Sequence, residues 1–462
     1  MLFNTTSFFL FLAVVLVVFY ASPRPWRRYL LLAASYYFYG SWNPKFIPLL
    51  LTLTVIDYTA ARWIEKLPRG PKRKAALILS LCTNLGFLGF FKYYNFLAGN
   101  LAWLMGKPSG SFFLDIVLPL GISFHTFQSM SYVVDVYRGE QQAVRDPIDY
   151  ALFICFFPQL VAGPIVRARN FFHDLLDWHP PVAGDVLRGV FLLALGLTKK
   201  MAFADQFAKI ANGYFQNVSG NPGVLTAWSG VLAFGMQIYF DFSGYTDMAI
   251  GMAKLLGFHF PVNFRRPYLA SSITDFWRRW HISLSSWLRD YLYIPLGGSR
   301  HGQWMTYRNL MLTMLLGGLW HGTNWNFLIW GGYHGALLSI ERALGVNPDR
   351  EWNWIYPFRA LLTVALAMIG WVFFRAADFA QSRQVLAAMF HGPAGRLLLE
   401  PWHIELVAVA LVLAVLEEKL EWFERLNEGP ALAYAAALAV LLLGLDVFGV
   451  IDASIPFIYF QF

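Results

Sequence analysis

Three stretches of the chain set side chains that could do chemistry inside apolar surroundings. The first, Leu315-Leu-Gly317-Gly318-Leu-Trp320-His321-Gly322-Thr-Asn324-Trp325, holds a histidine between two apolar runs and brackets it with glycines. Glycine permits close backbone approach and a turn at depth. An imidazole kept from water, with no charged neighbour, stays neutral, and that is the form a general base needs at pH 7. The plainer reading of a lone histidine is a hydrogen-bonded packing residue. The second stretch runs from Gln237 through Tyr-Phe-Asp241-Phe-Ser243-Gly-Tyr245-Thr-Asp247. It places two carboxylates and two kinds of hydroxyl in an apolar helix, on which Asp241, Tyr245 and, less directly, Asp247 share a side. The third is Asp275-Phe-Trp-Arg278-Arg279-Trp-His281-Ile-Ser283, continuing to Ser286-Trp-Leu-Arg289-Asp290-Tyr-Leu-Tyr293. This mixture of aromatics and charges reads as a partly buried, amphipathic or re-entrant element. The alternative for its arginines is an interfacial helix that snorkels to lipid phosphate, with tryptophans at headgroup level.

Several other chemistries are excluded. Gly121-Ile-Ser123-Phe-His125 lacks the closing glycine of a G-x-S-x-G elbow, and neither H-E-x-x-H nor histidines at i,i+4 offer a zinc site. Asp241 to Asp247 lacks the spaced ligands and terminal glutamate of a Ca²⁺ loop, and no Walker motif is present. Energy for any reaction must come from an activated substrate or a partner.

The elements that position these residues belong to a membrane protein. Of the 462 residues 57% are hydrophobic and only 14% charged, against roughly 25% charged in an average globular domain. The formal charge of +8 is dispersed in short clusters between apolar runs, which suits cytoplasmic loops and not a nucleic-acid face. Cys82 and Cys155, the two cysteines, each lie in an apolar stretch, so neither a disulfide framework nor a Cys-ligated metal is expected.

Apolar windows recur around residues 7–21, 29–42, 46–61, 75–91, 112–134, 150–165, 186–198, 224–252, 309–320, 324–340, 358–374, 404–416 and 431–450. Several are shorter than the ~20 residues of a simple span. Short windows broken by Gly and Pro predict helices that enter and turn back, tolerated where backbone is buried in protein or lines a wet cavity. At membrane depth an ionisable side chain costs at least ~2.5–3.5 kcal/mol, so the three polar clusters are functional candidates. The first window is expected to be a retained span, because Arg24, Arg27 and Arg28 follow it instead of preceding it. The positive-inside rule puts Arg24 to Arg28 and Arg62 to Lys74 in the cytoplasm, and the Trp42-Asn-Pro-Lys45 loop and N-terminus outside. With no repeat and no long linker, a single membrane domain over 1–462 is expected.

The run Trp277-Arg-Arg-Trp-His281-Ile-Ser-Leu-Ser285, with Trp287-Leu-Arg-Asp-Tyr-Leu-Tyr293 and Leu296-Gly-Gly298, resembles the membrane-bound O-acyltransferase family in its bacterial alginate O-acetyltransferase branch. The resemblance also takes in Leu118-Pro-Leu-Gly-Ile-Ser-Phe124, Tyr132 with Asp135-Val-Tyr-Arg138, and Phe157-Pro-Gln-Leu-Val-Ala-Gly-Pro164. It continues through Tyr239 to Tyr245, Asn309-Leu, Gly317 to Gly322 and Trp330-Gly-Gly-Tyr-His334-Gly335, covering about residues 8–375. It implies an all-α polytopic membrane protein, a ring of about 11–13 transmembrane and re-entrant segments around a thin funnelled core, with further helices and an aromatic tail over 401–462. It also implies catalysis centred on His321, with His281 as second position, and a tunnel to which Asp241, Ser243, Tyr245, Asp275, Arg278, Arg279, Trp320 and Asn324 are candidate contributors. The implied donor is acetyl-CoA or another acyl thioester, with no bound cofactor or metal. Acceptors would be hydroxyls of an exported polysaccharide or a periplasmic acetyltransferase partner, and the setting the bacterial inner membrane and its lipid. His125 stands where the branch has tyrosine, which bears on fine details of the acceptor.

The end of the sequence, Pro456-Phe457-Ile-Tyr459-Phe-Gln-Phe462, resembles the F-x-Y-x-x-F terminus of the small partner in teichoic acid D-alanylation. That likeness implies Tyr459 as an acyl relay; an aromatic anchor at the membrane surface is the alternative. D-alanyl transfer, a transporter or flippase built on the broken helices, and a non-catalytic subunit are the competing functional classes. The last two predict indifference of glycan chemistry to loss of His321.

Overall fold

Proline and glycine divide the apolar windows into helices. Proline occupies the first turn of the helices that begin at Arg24, Ile47, Pro71, Pro147 and Tyr356, where its missing N–H has no intrahelical partner to lose. The computed structural model describes residues 1–108, 110–161, 163–348, 352–450 and 455–458, and among these it is helical with no strand. They fall into two compact units, Met1–Val190 with Ala249–Pro261, and Phe191–Met248 with Val262–Phe462.

The first unit contains α1 (Thr6–Ala21), α2 (Arg24–Gly40), α3 (Ile47–Lys66), α4 (Pro71–Leu88), α5 (Tyr94–Leu104), α6 (Ile122–Arg138), α7 (Pro147–Cys155), α8 (Phe157–Leu160) and α9 (Ala168–Leu176). The apolar window at 112–134 becomes helix only from Ile122, because Pro119 and Gly121, whose φ is +69°, end the helical path. A side chain at Gly121 would run into the carbonyl of Leu160. Two of the segments singled out in the sequence therefore meet backbone to backbone. Asp57 on α3 ties this unit together: it accepts from Ser80 Oγ at 2.6 Å, from Asn84 Nδ2 at 2.8 Å, and from Ser129. Ser129 also reaches the Tyr150 hydroxyl at 2.9 Å. A carboxylate in an apolar interior persists only when its lone pairs are satisfied in this way.

The boundary between the units falls within α10 (Ala183–Thr198) and α12 (Val224–Leu255). The second unit adds α11 (Asp205–Gln216), α13 (Ile273–Arg279), α14 (Ile282–Leu288), α15 (Gln303–His321), α16 (Trp325–Ala343), α17 (Tyr356–Arg375), α18 (Phe379–His391), α19 (Pro401–Leu420), α20 (Trp422–Glu428) and α21 (Ala431–Phe448). Wide π-turns join α10 to α11 at Lys199–Ala204 and follow α14 at Arg289–Tyr293. Such turns gather at functional positions.

Among the described residues four helical runs are long and apolar enough to cross a membrane: Pro44–Lys66, Pro71–Leu104, Tyr356–Arg375 and Ala431–Phe448. The other apolar windows form helices that are shorter, less apolar or more charged, α1 with its 16 residues among the shorter ones.

Candidate functional site

His281 and His321 come together in the second unit, their ring centroids 6.5 Å apart. Both are buried, at 0% and 5% exposure. His321 is the last residue of α15, and its ring is walled by Trp320, Trp330 and Phe374 at 5.0, 5.1 and 5.1 Å. Trp330 in turn stands between His321 and a further buried histidine, His334, 5.0 Å from the latter. The glycines beside His321 do what their type predicts: a Cβ on Gly318 would strike the Phe327 carbonyl, and one on Gly322 the Phe327 ring. The backbones of α15 and α16 therefore touch below the histidine. We predict that Gly318→Val, which has no room to expand, lowers the thermal unfolding midpoint in detergent through overpacking of about 1–3 kcal/mol.

His281 is presented differently. It lies at the break between α13 and α14 with φ 44° and ψ 54°, a left-handed conformation that is rare for a residue with a side chain. Such strain costs of order 1–3 kcal/mol and persists only where neighbours over-determine it. Here the neighbours belong to a non-helical segment: Arg265 N–H donates to the Arg279 carbonyl at 2.9 Å, and Ile282 N–H to that of Asn263 at 2.9 Å. The Asn263 side chain accepts from both the N–H and the hydroxyl of Ser283, at 3.0 and 2.9 Å. The ring that results points edge-on to Phe242, 4.6 Å away, and lies 6.1 Å from Trp320.

The charged members of that stretch hold the frame. Asp275 pairs with Arg279 at 2.7 Å, Arg279 with Glu418 at 3.0 Å, and Glu418 with Arg266 at 2.6 Å. Glu341 accepts the N–H groups of Ile273 and Thr274 at the start of α13. Arg278 is exposed. Asn324 caps α16, accepting from Asn326 N–H at 3.0 Å and donating to the Ala377 carbonyl at 2.6 Å.

The polar stretch of α12 meets residues 457 and 458. Asp241 Oδ1 lies 3.0 Å from Lys200 Nζ, which also reaches Asp205 at 2.7 Å, and all three side chains are buried. Asp241 Oδ2 accepts the N–H of Ile458 at 2.7 Å. One turn on, the buried Tyr245 packs on Phe457 with centroids 4.3 Å apart, and Phe242 lies between Phe457 (5.9 Å) and His281. Ser243 is buried on the same helix. Asp247 instead pairs with Lys199 at 2.6 Å. The tail residues 457 and 458 are thus packed one ring away from His281; Tyr459 lies outside the described residues. His125 is buried on α6 of the first unit.

Chemically, the second unit offers two buried imidazoles with ring centroids 6.5 Å apart among aromatic rings. Residues 74–374 match the model of the membrane-bound O-acyltransferase family. The chain is 45% identical over 396 residues to the probable alginate O-acetylase AlgI of Azotobacter vinelandii, covering 84% of this chain and 78% of that one. Against the peptidoglycan O-acetyltransferase of Helicobacter pylori it is 37% identical over 425 residues, covering 84% and 80%. A teichoic acid D-alanyltransferase of Bacillus subtilis is 32% identical over 258 residues, covering 52% of this chain and 61% of that one.

Proposed function

The chain belongs to the membrane-bound O-acyltransferase family, and from that premise we propose that it carries acetyl groups from a cytoplasmic thioester across the bacterial inner membrane to hydroxyls of an exported polysaccharide, directly or through a periplasmic acetyltransferase. The observation that carries this reading is the pair His281 and His321, drawn from two separate sequence segments and brought to a ring separation of 6.5 Å, with Trp320 and Trp330 around His321. The acetyl group and the polymer acceptor are those in the names of the alginate and peptidoglycan relatives.

In the proposed step His321 accepts the proton of an acceptor hydroxyl as its oxygen attacks the thioester carbonyl carbon. The C–S bond then breaks, and the proton passes to the departing thiolate. Such base assistance is worth about 10²–10⁴-fold. His281 donates a hydrogen bond to the oxyanion that forms on the carbonyl, a role in which one well-placed donor supplies about 3–4 kcal/mol. Its strained backbone is consistent with a ring held for one direction. We read the whole chain as one acyltransferase domain, a ring of helices around a thin core reached by donor and acceptor from opposite sides. The short helices α13 and α14, seven residues each and broken at His281, support that arrangement.

Tyr459 serves in this reading as the acyl relay. Its support is the burial of Phe457 and Ile458, both at 0% exposure, and the anchor that Asp241 gives the latter. The test uses purified protein in vesicles with labelled acetyl-CoA and a polysaccharide acceptor, comparing wild type with Tyr459→Phe and with a D-alanyl donor. Transfer of acetyl, lost in Tyr459→Phe, is the expected result. Undiminished transfer in Tyr459→Phe removes the relay, and transfer of D-alanine alone overturns the acetyl reading.

A further inference from the structure

Between α1 and α2 the chain turns over two residues, Ser22 and Pro23, and then presents Arg24, Arg27 and Arg28 within little more than one helical turn. A cavity of about 340 Å³ opens at this corner, lined by those arginines together with Phe19, Trp178 and Asp149. Three guanidiniums against Asp149 and the adjacent Asp146 leave the corner cationic.

The three arginines differ in what they already hold. Arg28 is neutralised, its Nη1 lying 2.6 Å from Asp146 and 3.0 Å from Asp149. Arg27 is laid against aromatic rings, with Cζ 4.3 Å from the centroid of Trp178 and 5.0 Å from that of Phe19. Its Nε donates to the Ser22 carbonyl at 3.1 Å. Its Nη1, shut off from solvent, has no hydrogen-bond partner among the described residues. Arg24 stands over the same indole at 5.8 Å, and no carboxylate among the described residues pairs with it. A guanidinium N–H withheld from water calls for an acceptor, and a guanidinium held flat by an aromatic face presents its fork of donors in a fixed direction, the geometry that suits phosphate.

The height of this corner narrows the choice of acceptor. It lies at the end of the apolar α1, and the next helix exposes Trp26 and Tyr29, residue types that seat at headgroup level. Phosphate is the anionic group found there.

We propose that the α1–α2 corner binds a phosphate group through Arg24 and Arg27, against a wall formed by Trp178 and the pinned Arg28. Its source is a phospholipid headgroup or a free phosphate compound. The site belongs to the first unit and does not depend on the acyl-transfer reading.

The test takes the full-length protein, delipidated in a neutral detergent, and titrates it with phosphatidylglycerol and separately with inorganic phosphate, reading retained ligand by native mass spectrometry. Wild type is expected to hold one ligand more tightly than the rest. The double variant Arg24→Ala/Arg27→Ala should bind it about tenfold or more weakly, as befits loss of charge-assisted bonds. Arg27→Lys, which keeps the charge and loses the fork, should fall between. Arg24→Gln, at an exposed position, gives the same direction of change should the double variant fail to fold. Displacement of the lipid by phosphate assigns the site to free phosphate as well; retention of lipid alone assigns it to the headgroup. Equal retention by wild type, Arg24→Gln and Arg27→Lys, or no retention by wild type of either ligand, overturns the proposal.

Discussion

Replacing His321 by alanine is expected to reduce acyl transfer by about 10²–10⁴-fold, the range attached to a positioned general base, while the protein still elutes as a folded species from detergent. The loss should fall on turnover more than on the apparent affinity for the thioester, because the ring acts on the proton moved in the transition state. His321 lies in a cage of Trp320, Trp330 and Phe374, so truncation leaves a hole and not an opened surface. Labelled acetyl transfer at matched expression, with wild type and His321→Ala side by side, is the measurement. Retention of most of the wild-type turnover would refute the assignment. It would also return the transporter reading to contention, since transport without chemistry has no use for the imidazole.

The second large effect is expected at Lys200. Its ammonium is the counter-ion of two buried carboxylates, Asp205 and Asp241. Lys200→Met leaves both without it, and breaking a buried charge cluster by removing one member costs about 3–5 kcal/mol. The expected result is poor yield and a markedly lower thermal midpoint. Adding Asp205→Asn and Asp241→Asn to Lys200→Met should recover much of the stability, since the uncompensated charges are then gone. An unchanged midpoint in Lys200→Met would mean that solvent reaches the cluster. Activity read on the triple variant then reports on the tail, because an asparagine at 241 can still accept the Ile458 N–H.

The two histidines were visible in the sequence because polar side chains in apolar runs stand out at any distance from their partners. What surrounds them was less legible. The break at His281 depends on Asn263 and Arg265, whose contacts with Ile282, Ser283 and Arg279 join positions that no helical period relates. Glu341 and Glu418 hold α13 across 67 and 139 residues, and a glutamate in either place looks like any other. Lys199 and Lys200 close an apolar window much as loop lysines do; only the fold shows one paired to Asp247 and the other sunk between two aspartates. The family resemblance supplied the functional class where periodicity alone gave a membrane protein with polar clusters. The four long apolar helices were legible from hydropathy, whereas the shorter windows could be recognised only as apolar, since their ends are set by contacts such as that of Gly121 with Leu160.

The hydrogen bond from Ile458 to Asp241 joins residues 217 positions apart, and the ribosome makes Asp241 first. At about 5–20 residues per second, Asp241 waits on the order of 10–40 s for its last partner. Lys200 and Asp205, by contrast, have already been translated when Asp241 emerges. The ammonium can therefore shield the new carboxylate while its helix enters the bilayer, and the late-arriving tail needs only to supply one N–H. In temporal terms the ion cluster can close first and receive the tail afterwards.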